Sequence, residues 1–142
     1  MYARFVLQKR VSCLNHEFDI WSPFEGGENV TGESMIGESS ADHIGFQVAF
    51  EAYEELRNGS EVKLPGLPDL TPQQFFFVLQ SFYSCDALPY NQFKSKFSRG
   101  MTHPISVIRV NRGVGHSQYF VEAFNCTEKN KLFRKKMCSI FD

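Results

Sequence analysis

Two carboxylates, Glu38 and Asp42, lie four residues apart in the stretch GESSADHIGFQVAFEAYEELRNG, which has the pattern of an amphipathic helix. On a helical wheel both acids fall in the apolar sector. That sector holds Ala41, Gly45, Val48, Ala49, Ala52, Tyr53 and Leu56, and the opposite side holds Ser39, Ser40, His43, Gln47, Glu51, Glu54 and Arg57. An inward-facing carboxylate must be paired, hydrogen-bonded, neutralised or bound to a metal, because burying it bare is costly.

The pair Glu38 and Asp42 has two interpretations at this stage. In one, both acids belong to the start of the helix, where the helix dipole favours anions and water reaches them. In the other, Glu38 is a metal ligand, and Asp42 is a second acid that handles a proton or orients a liganding histidine. The helical pattern does not distinguish the two.

Local signals predict the elements that position these acids. Their helix is expected over residues 38–57, with Gly59 in the left-handed position that follows its end. A second helix is predicted to begin after Thr71, with Pro72 at its first position and Gln74 completing a capping box.

Shorter signals complete the prediction. A helix is expected near residues 91–97 and stops before Gly100, and the alternating, β-branched stretch ISVIRV (105–110) is typical of a strand. SQYFVEAF predicts a last helix with Ser117 as its N-cap. Residues 1–12 are interpreted as a helix end, 13–36 as a loop and 37–142 as the core. The whole is one mainly α domain, with helices and one or two short strands.

The bulk composition limits the classes of function. The chain has 142 residues, enough for one compact domain, with 42% apolar and 22% charged residues. The net charge of −1, without a basic stripe, argues against a nucleic-acid partner. No apolar run approaches the ~18–20 residues that span a bilayer.

Cysteines and sequons indicate the compartment. There are four cysteines, and the N-x-S/T triplets at Asn29, Asn58 and Asn125 are potential glycosylation sites. Together they favour a glycoprotein in an oxidising, extracellular setting. Because the first residues lack a signal-peptide core, we expect that the signal or membrane anchor is missing from this chain.

Several motifs in order resemble the neprilysin family of zinc metallopeptidases. GESSAD is similar to the family's G-E-N-I-A-D, and the similarity continues through AYEEL, LPGLPDLTPQQFFF, FYSC, THPISVIRVN, FVEAFNC and KKMC. The resemblance runs from about Val11 to Cys138. It implies the C-terminal part of a thermolysin-like catalytic domain that acts on peptide substrates.

The resemblance assigns a role to each candidate site residue. Glu38 matches the third zinc ligand, and Asp42 matches the acid that orients a zinc-binding histidine and is often given a proton-donor role. His103 matches a histidine that stabilises the oxyanion of the tetrahedral intermediate. Arg109 matches an arginine that donates to a backbone carbonyl of the substrate. Zinc is the implied cofactor, with one ligand in this chain.

The resemblance also implies a cysteine pairing. Cys13 is expected to pair with Cys138, which closes a loop of about 125 residues and stabilises the fold by on the order of 4–5 kcal/mol in the chain-entropy model. The family partners of Cys85 and Cys126 lie upstream of this chain. These two are therefore free, paired with each other, or mispaired.

The chain departs from the family in two ways. It lacks H-E-x-x-H, since HEFDI has Ile20 where the second histidine belongs, and the expected position of that motif is upstream. Within the shared part, Ser39 and Ser40 replace Asn and Ile, D-N-G-G is DHIG, and Met101 replaces an acid two residues before His103. The missing motif predicts that the chain alone neither hydrolyses peptides nor binds zinc firmly.

Three hypotheses follow from the sequence. The first is a catalytic segment of a zinc metalloendopeptidase that missing sequence completes. The second is a secreted, non-catalytic binding or decoy paralogue. The third is a gene fragment with no independent fold.

Overall fold

The computed structural model describes residues 2–19, 35–61, 63–87, 92 and 102–140. Its helices are α1 (Tyr2–Asp19), α2 (Ile36–Arg57), α3 (Pro72–Tyr83), α4 (Ser106–Gly115) and α5 (Gln118–Ala123). No strand occurs within those ranges. The prediction of a mainly α protein is confirmed.

Helix α1 extends further than the sequence predicted. It continues to Asp19, so the start of the segment interpreted as a loop, residues 13–19, is helical, while residues 20–34 lie outside the described part. The physical reason is packing: Leu14 is buried against Cys138 and Ile140 of the C-terminal segment. Contacts with the far end of the chain therefore sustain the helix where local signals were weak.

The caps agree with the prediction. Thr71 accepts a hydrogen bond from the backbone N–H of Gln74 (3.1 Å), and the Gln74 side chain accepts one from the N–H of Thr71 (3.1 Å), which completes the capping box of α3. Ser117 caps α5 by accepting from the N–H of Phe120 (3.3 Å). Gly59 has the expected positive φ of 74°, and Asn58 before it is also left-handed.

The predicted strand is wrong. ISVIRV forms the start of α4, with Ile105 as N-cap and Ile108 fully buried. The β-branched residues of this stretch have only a weak intrinsic preference for strand, and tertiary packing overrides it. Of the short helix expected at 91–97, only Gln92 belongs to the described residues, and it is helical.

The predicted inner face of α2 is also wrong. The buried residues of α2 are Ser39, His43, Phe46 and Phe50, whereas Val48 is 58% and Leu56 86% exposed. Two phenylalanines one turn apart offer more apolar area than a stripe of alanine and glycine, so they determine which face packs inward.

Helix α2 is the central element of the fold, because it packs against both α1 and α4. Phe50 stacks on Phe77 of α3 (ring centroids 5.1 Å apart) and on Tyr119 of α5 (4.6 Å). Towards α4, the ring of Phe46 covers Gly113 so closely that a Cβ built there would lie 2.7 Å from Phe46 Cε2. Glycine at position 113 is therefore a condition for this helix contact.

The disulfide implied by the resemblance is present. Cys13 on α1 is bonded to Cys138, with their Cα atoms 5.7 Å apart and a sequence separation of 125. Arg10 reinforces the link by donating to the carbonyl oxygen of Ile140 (2.8 Å). Cys85 and Cys126 are free thiols, the first exposed and the second half-buried.

His116 lies beside this link and is only 4% exposed. Its Nδ1 accepts a hydrogen bond from the backbone N–H of Cys138 (3.0 Å), so Nε2 carries the proton of the neutral ring. Burial, and then the positive charges of His43, Arg112 and Arg134, lower the pKa of His116 to about 4.

His116 should therefore make the protein sensitive to acid. The unfolded chain binds this proton near pH 6.5 and the folded chain only near pH 4. The stability that this histidine contributes is fully present above pH 6.5 and is lost as the pH falls towards 4, by about 3 kcal/mol in total. Urea unfolding at several pH values measures this loss.

The matched variants are His116→Gln and His16→Gln, because His16 lies exposed on α1. We expect a shallower pH dependence for His116→Gln and an unchanged one for His16→Gln. An unchanged pH dependence in His116→Gln would contradict the assignment.

Candidate functional site

The four candidate site residues come from two parts of the chain that meet at one place. Glu38 and Asp42 occupy successive turns at the start of α2. His103 lies in the segment that leads into α4, and Arg109 lies on α4 itself. The packing of α2 on α4 brings each acid to one of the two basic residues.

Asp42 and Arg109 form a two-point ion pair. Nε of Arg109 donates to Oδ2 of Asp42 (2.7 Å), and Nη2 donates to Oδ1 (2.5 Å). The Asp42 side chain is 17% exposed and that of Arg109 is 37% exposed. This fork geometry is the strongest arrangement for a guanidinium and a carboxylate, and it answers why an inward acid is tolerated at position 42.

Glu38 pairs with His103 at the rim of the same site. Oε2 of Glu38 lies 3.1 Å from Nδ1 of His103, and both side chains are substantially exposed. Glu38 also lies in the first turn of α2, where the helix dipole favours an anion. Glu38 therefore has the favourable helix position of the first interpretation and a basic neighbour in His103. The second interpretation, a metal ligand, stays a prediction.

The charges of this site reinforce one another. The hydrogen bonds that Arg109 donates to Asp42 raise the pKa of Arg109. Burial opposes this shift, and the negative charges of Asp42 and Glu38 aid it. Arg109 thus stays a cation and uses only two of its three nitrogens on Asp42. Its Nη1 makes no hydrogen bond to the described residues and remains a donor for another oxygen.

The described donors are too few for zinc. Within the described part of the chain, no group of three or more His, Cys, Asp or Glu side chains could hold a metal ion. Glu38 is a chemically suitable ligand and His103 is next to it, but a zinc site needs at least three protein ligands. These residues alone therefore do not fit a complete zinc centre.

The structure contains a second polar group, which the sequence did not predict. His43, placed on the solvated side of α2 by the helical wheel, is buried, as are Arg112 and His116. The His43 and His116 rings meet edge to face, with centroids 6.3 Å apart. The one sequence signal near this group was the departure from the family motif at residues 43–45, where HIG replaces N-G-G.

A cleft of about 220 Å³ borders His43 and His116, and Phe46 and Met137 also line it. None of the four candidate residues lines this cleft. The cleft and the ion pairs are therefore separate features of the molecule.

Comparison with known proteins identifies the class. Residues 4–140 match the model of peptidase family M13, which covers nearly the whole chain. The chain therefore belongs to this family of zinc-dependent metallopeptidases.

The relatives agree with this assignment. The chain is 27% identical over 134 residues to Neprilysin-2 of Drosophila melanogaster, 26% over 137 to human Neprilysin, and 29% over 140 to Neprilysin-11 of Caenorhabditis elegans. These matches cover 93%, 94% and 93% of this chain but only 17%, 18% and 16% of the relatives. The chain thus corresponds to a small part of a neprilysin-family peptidase.

No helix in the described ranges is both long and apolar enough to cross a membrane.

The Asp42–Arg109 pair predicts a measurable coupling. In a double-mutant cycle with Asp42→Asn and Arg109→Gln, we expect a coupling of about 1–2 kcal/mol in the free energy of unfolding, because the pair is two-pointed and partly buried. Urea unfolding of the four proteins measures it. Arg109→Lys keeps the charge but not the fork and should retain only part of the coupling. Additive single effects would contradict the pairing.

Proposed function

We propose that this chain is the C-terminal catalytic segment of a zinc metalloendopeptidase, in which Glu38 is the third zinc ligand. Asp42 orients a zinc-binding histidine supplied by another part of the protein. His103 and Arg109 stabilise the negative charge that develops on the substrate carbonyl. One observation carries the proposal. Helix α2 packs against α4 and the segment that leads into it, which brings both acids and both basic residues to one partly exposed place.

The Asp42–Arg109 contact supports a defined role for each partner. With two guanidinium nitrogens held by Asp42, the remaining N–H groups of Arg109 have a fixed direction and can donate to a peptide carbonyl. Such preorganised donors stabilise developing charge, because they need no reorganisation during the reaction.

His103 keeps a partner despite the loss of the family's acid at position 101. Glu38 lies within hydrogen-bond distance of His103 and holds its imidazole at the rim of the site. A histidine held by a carboxylate is suited to donate a hydrogen bond to an oxyanion.

We also propose an extracellular location, either secreted or as the ectodomain of a membrane-anchored protein. The Cys13–Cys138 disulfide supports it, since such bonds persist in oxidising compartments.

Zinc stoichiometry tests the role of Glu38. In the protein made from the complete reading frame, we expect about one zinc per chain. Glu38→Gln should lower zinc affinity by roughly 100-fold or more, because it removes a direct ligand. Glu55→Gln is the matched control, since Glu55 is exposed on the same helix. Elemental analysis after dialysis against a chelator series measures the difference.

Two results would contradict the proposal. One is zinc binding that is equal in Glu38→Gln and Glu55→Gln. The other is a transcript that joins a signal peptide directly to this sequence without an in-frame H-E-x-x-H, which would favour the secreted binding module. The 142-residue chain alone should show no chelator-sensitive peptide hydrolysis.

A further inference from the structure

The turn that ends α2 carries an Asn-Gly-Ser triplet at residues 58–60. Asn58 and Ser60 are exposed, and both Asn58 (φ 47°) and Gly59 (φ 74°) are left-handed. The triplet therefore stands in a tight, outward-facing turn. Gly59 lets this turn change its conformation at little steric cost.

The reactive side chains of this turn are not used by the fold. Its hydrogen bonds involve backbone groups: the N–H of Asn58 donates to the carbonyl oxygen of Glu54 (3.1 Å), and that of Ser60 donates to Arg57 (2.9 Å). Arg57 also donates to the carbonyl oxygen of Ser60. The Asn58 amide and the Ser60 hydroxyl make no hydrogen bond to described residues.

The other sequon in the described part is less available. Asn125 is exposed, but the hydroxyl of Thr127 donates to Oδ1 of Asn130 (3.2 Å). The middle residue, Cys126, is half-buried, and its N–H donates a hydrogen bond to the carbonyl oxygen of Val121 (2.9 Å). Asn29 lies outside the described residues. The structure thus favours Asn58.

We propose that Asn58 is an N-linked glycosylation site, an inference that rests on the extracellular location proposed above. The co-reactant is an oligosaccharide carried on a lipid diphosphate. The side-chain nitrogen Nδ2 forms a bond to the anomeric carbon of the first sugar while that carbon's bond to the diphosphate oxygen breaks. The lipid diphosphate leaves with the electron pair, and Nδ2 loses one proton. The product carries a bulky, solubilising group.

A glycan at this position leaves the candidate site open. Asn58 follows the last residue of α2, whereas Glu38 lies in its first turn. Twenty residues of helix separate them by about 30 Å at ~1.5 Å per residue. The modification and the metal site can therefore coexist on one helix.

The test produces the full chain behind a cleavable secretory leader in a eukaryotic host. Protein from cells and from medium is treated with peptide N-glycosidase in ¹⁸O water, which converts each glycosylated Asn to labelled Asp. Peptide mass spectrometry then reads position 58. We expect labelled Asp at 58 in the wild type and in Asn125→Gln.

Two variants define the site. Ser60→Ala keeps Asn58 but removes the hydroxyl that the transferase requires, so the label at 58 should disappear. Ser60→Thr keeps the hydroxyl and should retain it. A sample kept in ¹⁸O water without the glycosidase measures the label from spontaneous deamidation of the Asn58-Gly59 pair. Label at 58 in the wild type no higher than in that sample, or label in Ser60→Ala above it, would overturn the proposal. Because the leader supplies entry to the secretory route, these outcomes are independent of the zinc measurement on Glu38.

Discussion

The close approach of Phe46 to Gly113 is the contact on which the remaining structure depends. It lets α2 and α4 pack with no side chain between the ring and the α4 backbone. One turn before Phe46, Asp42 reaches Arg109, and one turn after it, Phe50 enters the aromatic cluster with Phe77. A wider spacing of the two helices would disrupt both the ion pair and the core.

This geometry explains why acids at the start of α2 are stable. Asp42 exchanges water for two hydrogen bonds from one guanidinium, and Glu38 keeps partial exposure together with a favourable helix position and His103. Each acid therefore has compensation within the described chain before any metal is considered. Side chains that are already paired in this way are preorganised, because they have lost their alternative orientations.

Part of this could be predicted from sequence. Caps are local, so Thr71 with Gln74, and Ser117, were predicted correctly from a few neighbouring residues. The pairing of Cys13 with Cys138 required the family resemblance, because the two cysteines are far apart in sequence. The roles of the four candidate site residues rest on the same resemblance and stay predictions.

Other features depend on tertiary contacts that no local pattern contains. Residues 105–110 have strand-forming side chains, yet they form a helix because Ile108 is buried in the contact with neighbouring elements. The helical wheel counted the small residues Ala and Gly as an apolar face, whereas Phe46 and Phe50 outweigh them in buried area. The burial of His43 and His116 had no signal in composition or periodicity.

The most direct measurement compares the unfolding free energies of Gly113→Ala and Gly45→Ala. Both variants replace a helical glycine by alanine, and the higher helix propensity of alanine stabilises the fold by about 1 kcal/mol. A Cβ at position 45 meets no atom within 4 Å. At 113 the displaced Phe46 ring costs about 2–3 kcal/mol. We predict that Gly45→Ala is more stable than wild type and Gly113→Ala less stable by about 1–2 kcal/mol. A Gly113→Ala protein as stable as Gly45→Ala would contradict the central role of this contact.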